Sequence, residues 1–534
     1  MQRLICSKHF PILVLIVTNL IIGTIIIRDY GESWDEAGYF EYAERSLRAY
    51  QSLLNPAKMP ISFLRGDVLF GDHGPAYGML VILLWRMVSK LGTSFLQVEF
   101  NHLISFLFFQ VGVIAFYSLC KRWFSPWAAF GATLLFATQP LIWGHAFINP
   151  KDIPFMALFI VSVATGLWML DEINEQSNQH ISTFKIPDEH KSAHLEILKA
   201  FLSLRVLVAG FVLGFAIAVR VIAPLAAFIV VTYALLHKGK YSLPRLLTYI
   251  LLAALATLGL WPYLWPAPLD RFLFSLVNSS AYPLPVEILF AGRIYTPSDI
   301  PRWYLPILLG LQLTETTLLL SGLGVCILFA SALKKHIAWD LSLLLLEWFF
   351  LPLTWFVVSR TPLFDNFRHV LFILPPLFIL IGMTLDWIST RLISPIMRSM
   401  ILTIALLPAL IAGIRLHPYQ YVYYNQLIGG PKGAFRHFQL DYWCISYHEA
   451  AVYINRVAPE NARVLPIGPY QVMQFYVRPD IELIDPYSLT DVDWAKYDYL
   501  VVSTRNNQDL NFLEFKTVYS IERDNATLAV VKQP

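Results

Sequence analysis

Charge is scarce in this chain. Of its 534 residues, 14% are Asp, Glu, Lys or Arg, whereas about 25% are charged in a typical soluble domain. Hydrophobic residues make up 56%, and the mean hydropathy is +0.55. The net charge of +3 is too small to indicate a nucleic-acid partner, and no basic stripe with interleaved aromatic residues occurs. This composition predicts a polytopic membrane protein.

Sequence signals of several other classes are also missing. No GxGxxG or Walker loop indicates a nucleotide-binding domain, and no HExxH or paired-ligand spacing indicates a metal site. The four cysteines are too scattered to predict a structural disulfide. We therefore expect no cofactor, and a divalent metal held by histidines and acids near one membrane face stays open as an alternative.

Apolar runs long enough to cross a membrane recur through the first 415 residues. A spanning helix needs about 17–25 residues. Eleven such helices are predicted, over 9–28, 98–119, 126–147, 153–170, 204–219, 222–237, 246–263, 304–330, 341–358, 369–387 and 399–414. A twelfth run at 75–91 contains Pro75, Arg86 and Lys90, so we interpret it as a helix that lies in the membrane interface.

The basic loops predict the orientation, because Lys and Arg accumulate on the cytoplasmic side. With eleven spans, all the basic clusters share that side: Arg3 with Lys8, Lys121 with Arg122, Lys238 with Lys240 and Arg245, Lys334 with Lys335, and Arg391 with Arg398. The polar stretch 172–203 is then a cytoplasmic linker. The loops 29–97, 264–303 and 359–368 and everything after about residue 416 lie outside. We expect a bacterial inner-membrane protein with a cytoplasmic N-terminus.

Three acidic residues are the candidates for catalysis. Asp35 and Glu36 follow the first span in the segment SWDEAGY (33–39), and Asp152 begins a span in NPKDIP (149–154). Carboxylates beside a lipid core are costly and are usually functional, and the predicted topology puts all three on the outer side. Alternatively, Asp35 and Glu36 only favour a helix dipole, and Asp152 only caps a helix.

Three basic residues are the candidates for binding a phosphate on the same side. Arg220 interrupts a long apolar region, Arg368 lies at the end of the polar turn that begins at residue 359, and His73 precedes Gly74-Pro75. The planar fork of a guanidinium matches phosphate oxygens. The alternative for Arg220 is an arginine at a helix end whose charged head reaches the water.

The order and spacing of these motifs resemble the GT-C superfamily of membrane glycosyltransferases. More narrowly they resemble glycosyltransferase family 39, which includes protein O-mannosyltransferases and the lipid A aminoarabinose transferases. The resemblance covers about residues 9–415. Two departures affect the expected phosphate contacts, because His73 stands where many members have a lysine and His102 replaces an arginine. The matching segments are WDEAGY (34–39), HGPAY (73–77), DIP (152–154), Gly214 to Arg220, Gly292 to Pro306, and Arg368-His369 followed by Pro375-Pro376.

The resemblance implies a hexosyl- or pentosyltransferase that takes a sugar from a polyprenyl-phosphate donor by an inverting mechanism. Asp35 is the expected base, Glu36 and Asp152 orient it or the acceptor, and Arg220, His73 and Arg368 bind the donor phosphate. The acceptor on the outer face is a lipid, a glycan or a protein, and membrane lipids are the other partners. The alternatives are a transporter or flippase of lipid-linked sugars and an accessory subunit that binds cell-wall components.

After about residue 416 the composition becomes that of a soluble domain. A helix is predicted over 447–457, and strands over 463–467, 499–502, 515–521 and 527–531. The predicted fold class is therefore mostly α. A membrane-spanning catalytic part (1–415) precedes a small extracytoplasmic α/β domain (416–534), which either binds the acceptor or a partner or caps the active site.

Overall fold

The computed structural model describes residues 10–54, 73–182, 203–280, 286–333, 339–391, 394–489 and 493–534. The basic residues predicted to face the cytoplasm at positions 3, 8, 334 and 335 lie outside these ranges, as does most of the linker 172–203.

Helices dominate the part of the chain before residue 416, as the apolar runs predict. The α-helices are α1 (Phe10–Ile26), α2 (Glu36–Leu54), α3 (Ala76–Val88), α4 (Gln97–Cys120), α5 (Pro126–Ala137), α6 (Pro140–Ile148), α7 (Asp152–Ser182), α8 (Leu204–Ile217), α9 (Pro224–Lys238), α10 (Leu243–Leu260), α11 (Pro268–Ser280), α12 (Tyr304–Gln312), α13 (Glu315–Leu333), α14 (Trp339–Leu345), α15 (Leu351–Ser359), α16 (Pro375–Arg391), α17 (Pro395–Arg415), α18 (Gly430–Ala434) and α19 (Tyr447–Val457).

The helices confirm a polytopic membrane protein. Within the described ranges, eight helical stretches are long and apolar enough to cross a membrane, and α5, α8 and most of α9 are shorter apolar helices. These stretches fall on the eleven predicted spans. The run at 75–91 does form a helix, α3, and it packs on α2, where Arg86 donates to Glu44 at 2.5 Å. Its place in the membrane interface stays a prediction.

Two predicted spans are broken into separate helices. The predicted span 126–147 consists of two helices: α5 ends at Ala137 and α6 begins at Pro140. The break lies before Pro140 because proline disfavours a helical conformation in the residue that precedes it. The span at 304–330 is divided into α12 and α13. Between α14 and α15 the helix stays continuous through a π-turn over Leu346–Phe350, next to Pro352, whose missing N–H removes one helical hydrogen bond.

Two helices at the centre of the bundle carry charged residues at the same end. In the spanning part of α7, 78% of the residues are buried. In the span formed by the short helix Arg368–Ile373 and α16, 72% are buried, whereas in α17 only 17% are. Phe159 of α7 packs against Phe372 with ring centroids 5.2 Å apart. Asp152 and Arg368 stand at the beginnings of these two stretches, so the packing of the core brings both residues to one face of the bundle.

The part of the chain after residue 416 contains a small sheet with a helix beside it, as the predicted fold class requires, and the domain boundary at about residue 416 stays a prediction. The strands of the structure are β1 (Ile288–Phe290), β2 (Arg293–Tyr295), β3 (Arg463–Ile467), β4 (Glu482–Leu483), β5 (Tyr499–Ser503), β6 (Lys516–Arg523) and β7 (Ala526–Gln533). A sheet in the order β4-β3-β5-β7-β6 has β3 parallel to β4 and β5, and β7 antiparallel to β5 and β6. The helix predicted over 447–457 is α19, and the four predicted strands are confirmed within two residues at each end.

This C-terminal domain is attached to the helix bundle by direct hydrogen bonds and ion pairs. The Asn425 side chain donates to the carbonyl oxygens of Gly310 and Leu313 at the break between α12 and α13, at 2.7 and 2.9 Å. Arg415 pairs with Asp524 at 2.5 Å. The domain therefore rests on the bundle end that carries Asp152 and Arg368.

Candidate active site

The turn before α2 holds Asp35 between two other parts of the chain. A Glu36 carboxylate oxygen accepts from the backbone N–H of Ser33 at 2.9 Å, which is the backbone half of a capping box. The Ser33 hydroxyl donates instead to the Ile148 carbonyl at the end of α6, at 2.8 Å. The Trp34 N–H donates to the Trp443 carbonyl at 3.2 Å. Asp35 is thereby positioned where the bundle meets the C-terminal domain.

Asp35 lines a cavity of about 980 Å³. The helix bundle forms one side of this cavity and residues 443–511 of the C-terminal domain form the other. Charged side chains lie between the two sides. They are Asp35, Lys151, Arg220, Glu287, Asp365, Arg368 and Arg505.

Two cations surround the Asp35 carboxylate. The Lys151 ammonium donates to Asp35 Oδ2 at 2.7 Å, and Arg368 Nη2 lies 3.3 Å from the same oxygen. Partial burial raises the pKa of Asp35, but the charges of Lys151 and Arg368 outweigh it and bring the pKa well below the ordinary value. Asp35 is therefore ionised at neutral pH.

Asp152 lies behind the cavity and holds its arginines in place. Its carboxylate pairs with Arg220 Nη2 and, at 3.3 Å, with Arg368 Nη1. Only 2% of Asp152 is exposed, and it is not among the cavity-lining residues. The Asn149 side chain accepts from the Asp152 N–H at 2.8 Å, so Asn149 provides the cap that the alternative interpretation assigned to Asp152.

A second carboxylate, Asp365, joins the bundle to the C-terminal domain. It accepts from Arg368 Nη2 at 3.1 Å and from Arg505 Nη2 at 2.8 Å. Asp365 and Asn366 both adopt left-handed backbone angles, with φ of 52° and 57°, a conformation that Asp and Asn tolerate better than most residues. The Tyr304 hydroxyl donates to the Asn366 carbonyl at 3.1 Å and holds this turn.

Four of the six predicted site residues line the cavity: Asp35, His73, Arg220 and Arg368. Asp152 is one layer behind them. Glu36 is directed elsewhere, because its carboxylate lies 3.1 Å from His102 Nε2 and is almost fully buried away from the cavity.

The sequence interpretation missed Lys151, Asp365 and Arg505 as site residues. Lys151 could have been found, since it adjoins Asp152 in the motif, and Asp365 lies in the polar turn before Arg368. Arg505 follows β5, a buried strand of the C-terminal domain, and no local signal marks it. Its place in the site comes only from the way in which the domain is attached.

The three aspartates in and directly behind the cavity face cations rather than one another. Each of Asp35, Asp152 and Asp365 pairs with at least one lysine or arginine. Within the described ranges, no group of three or more His, Cys, Asp or Glu side chains has the arrangement of a metal site. The described side chains fit an anion better than a metal ion.

Several solved structures are similar to this chain, at low sequence identity. ArnT from Cupriavidus metallidurans, solved in the apo state and bound to undecaprenyl phosphate, is 14% and 13% identical, with 97% of each chain covered and a TM-score of 0.47. The archaeal oligosaccharyltransferase AglB from Archaeoglobus fulgidus is 11% identical over 92% of this chain and 69% of that chain, with a TM-score of 0.48. These are GT-C glycosyltransferases, the superfamily that the sequence motifs resemble.

The mycobacterial arabinofuranosyltransferase AftD is 13% identical, with a TM-score of 0.37 over 87% of this chain and 35% of that chain. No protein-family model and no curated protein sequence matches.

Proposed function

We propose that this protein is a glycosyltransferase that moves a sugar from a polyprenyl-phosphate donor to an acceptor hydroxyl. One observation carries the proposal. Asp35, Arg220 and Arg368, which are far apart in the chain, line one large cavity at the end of the helix bundle. A reactive carboxylate and phosphate-binding cations beside a membrane are the groups that such a transfer requires.

The cations support a phosphate as part of the donor. Lys151, Arg220, Arg368 and Arg505 all line the cavity, and Arg368 is only 3% exposed. Charge-assisted hydrogen bonds from buried arginines are stronger than those in water. An anionic phosphate therefore has partners at the floor of the cavity. His73 lines the same floor and could add a further hydrogen bond.

The apolar side of the cavity suits the polyprenyl chain. Val221, Ile222, Leu276 and Phe356 line it, and Trp355 continues it onto the outer surface of the bundle, where 63% of its side chain is exposed. A lipid could extend along this surface with its phosphate at Arg220 and Arg368. The same residues would be costly to expose to water, so a hydrocarbon neighbour is the simplest partner.

The proposed chemistry is a single displacement with inversion at the sugar. The acceptor oxygen attacks the anomeric carbon from the side opposite the phosphate and forms the new glycosidic bond. The bond between the anomeric carbon and the phosphate oxygen breaks, and its electron pair leaves with the polyprenyl phosphate. Asp35 takes the proton of the acceptor hydroxyl. Since the leaving group is an anionic phosphate, Arg220 and Arg368 stabilise it and no general acid is required.

The test uses the full chain in detergent with radiolabelled undecaprenyl-phosphate hexoses and pentoses. Asp35→Asn removes the base, so we expect transfer to fall by about 10²–10⁴-fold while undecaprenyl phosphate still binds. Arg220→Ala should weaken binding of undecaprenyl phosphate by about ten- to a hundredfold. The controls are Glu41→Gln and Arg302→Ala, which change exposed residues that do not line the cavity.

Transfer at the wild-type rate in both Asp35→Asn and Arg220→Ala would contradict this assignment. A label that crosses the membrane while still attached to its lipid would favour the flippase alternative. The charged groups that line the cavity gather at one end of the bundle, which favours the transferase. Glu347, within the span Trp339–Ser359, is the buried acid that the flippase alternative would use, and its carboxylate accepts from the Thr232 hydroxyl at 2.7 Å.

A further inference from the structure

The cavity has a side that the proposed transfer chemistry does not use. Besides Asn506, four uncharged polar side chains of the C-terminal domain line it: Gln471, Tyr487, Gln508 and Asn511, here named the amide wall. Three are primary amides and one is a phenol, and none carries a charge at neutral pH. The apolar residues that suit a lipid chain belong to the helical part of the chain. The two sides therefore suit ligands of different chemistry.

The amide wall complements a neutral ligand that is rich in hydroxyl groups. Each primary amide offers two N–H donors and one carbonyl acceptor, and a sugar hydroxyl both donates and accepts. Tyr487 adds an aromatic face with a polar tip, and 66% of its side chain is exposed. A set of uncharged donors and acceptors beside an open ring is well suited to carbohydrate.

Other acceptor classes fit this wall less well. Arg505 is the charged side chain that the described C-terminal domain contributes to the cavity, and it is already bound to Asp365 at 2.8 Å and to the Tyr442 carbonyl at 2.7 Å. The described part of this domain therefore offers an anionic acceptor one cation, whereas the amide wall itself carries no charge. A peptide that binds as an added strand needs an open sheet edge, but the edge strand before Tyr487, β4, has only two residues.

The wall is anchored to the rest of the protein. Asn506, between Arg505 and the amides, has a left-handed φ of 52° and donates through Nδ2 to the Glu287 carbonyl at 2.9 Å. Its Oδ1 accepts from the Leu289 N–H at 3.1 Å and from Gln439 at 3.0 Å. These three bonds hold the segment that carries Gln508 and Asn511 against β1, so its amides are positioned before a ligand arrives.

We infer that the acceptor of the transfer is a carbohydrate and that the amide wall binds it. This inference rests on the proposed function and names its acceptor class. The acceptor sugar would lie between the amide wall and Asp35, with one hydroxyl at the carboxylate, while the donor lipid occupies the apolar side.

The test measures binding of the full chain in detergent to an array of neutral oligosaccharides, with serine- and threonine-containing peptides and anionic lipids on the same array. We expect binding to oligosaccharides. Tyr487→Ala and the double variant Gln508→Ala with Asn511→Ala should each weaken it by about tenfold, the effect of one or two lost contacts. Matched controls are Phe475→Ala and Gln474→Ala, which change exposed residues of the same domain outside the cavity.

Binding of undecaprenyl phosphate, measured on the same samples, separates the two proposals and checks that the variants are folded. If undecaprenyl phosphate binds but no oligosaccharide does, the carbohydrate inference is overturned and the proposed function stands. Binding to peptides or anionic lipids alone overturns it too, as do wall variants that bind oligosaccharides like the wild type. If wild type binds neither undecaprenyl phosphate nor oligosaccharide, both proposals fail.

Discussion

Lys151 shows how neighbouring cations set the chemistry of a carboxylate. It adjoins Asp152 in the chain, but its ammonium group contacts Asp35 at 2.7 Å. With Arg368 it keeps the pKa of Asp35 well below the ordinary value, against the opposing effect of burial. The carboxylate is thus ionised across the physiological pH range, although each nearby cation also makes it a weaker base.

Replacing Lys151 should move the acid limit of activity. Lys151→Met keeps a side chain of similar length but removes its positive charge, so the pKa of Asp35 rises. Asp35 must be ionised to accept a proton, and hence the acid limb of kcat/KM should shift to higher pH. The pH profile of transfer measures this shift. Lys432→Met, at an exposed position, should not shift the acid limb of kcat/KM. If Lys151→Met does not shift it either, a role for Asp35 as base is contradicted.

Glu32 is a buried acid of the opposite kind. Burial, and next the charge of Glu36, raise the pKa of Glu32 to about 9. One of its carboxylate oxygens has no hydrogen-bond partner among the described residues. Glu32 is therefore protonated at neutral pH in the folded protein, whereas it is ionised in an unfolded chain.

Stability should depend on pH through Glu32, with a definite sign. A raised pKa in the folded state stabilises the protein most below the unfolded pKa of about 4.3, and this stabilisation is lost as the pH rises toward 9. The loss is about 1.4 kcal/mol per pH unit. Glu32→Gln removes the titration. The thermal unfolding temperature of this variant should therefore rise relative to that of the wild type as the pH goes from 5 to 8. In Glu41→Gln, which changes an exposed acid, the difference from wild type should not vary with pH.

At the scale of elements, the turn before α3 packs against the turn that carries Arg220. The Ala76 N–H donates to the Ala218 carbonyl at 3.1 Å. A Cβ on Gly74 would lie 2.0 Å from that same carbonyl oxygen, well inside any allowed contact. The absence of a side chain at Gly74 thus lets His73 and Arg220 line one cavity.

Gly74→Ala should separate these two turns. The added methyl group meets backbone rather than a flexible side chain, so we expect a loss of stability of about 1–3 kcal/mol and weaker binding of undecaprenyl phosphate. Thermal unfolding and lipid binding measure the two effects. Gly322→Ala is the matched control, because nothing lies within 4 Å of its added Cβ. Equal behaviour of the two variants would show that the close packing at Gly74 is unimportant.

The sequence predicted the elements well because their signals are local. Long apolar runs and alternating strands record burial within one segment, and α19 was found with both its ends correct. The side-chain directions within a motif were not predictable to the same degree. Asp35 and Glu36 are neighbours at a helix start, but one contacts Lys151 in the cavity and the other contacts His102 away from it. Arg505 depends on contacts between distant segments, which no local pattern records.

At the scale of the whole molecule, the two ends of the bundle differ in character. One end carries the cavity and the C-terminal domain. At the other, Arg122 pairs with Asp171 at 2.8 Å and the Trp123 indole donates to Asp340 at 2.9 Å. Arg122 belongs to the basic clusters predicted to face the cytoplasm, so the cavity end is expected to face outward.

Cysteine labelling can test this orientation. In a variant without native cysteines, Glu287→Cys places a thiol at the cavity end, and Arg391→Cys places one at the other end. Both positions are exposed. In intact cells a membrane-impermeant maleimide should label position 287 alone, and position 391 only after permeabilisation. The reverse pattern would show that the orientation is wrong, and labelling of both positions in intact cells would contradict a single shared polarity.

The carboxylate of Asp365 is shared by an arginine of the bundle and an arginine of the C-terminal domain, 3.1 and 2.8 Å away. An anion that attracts Arg368 weakens the bond between Arg368 and Asp365. Arg505 is then the main partner of Asp365. An anion bound in the cavity would thus change the bonding of Arg505 in the C-terminal domain through the single side chain of Asp365.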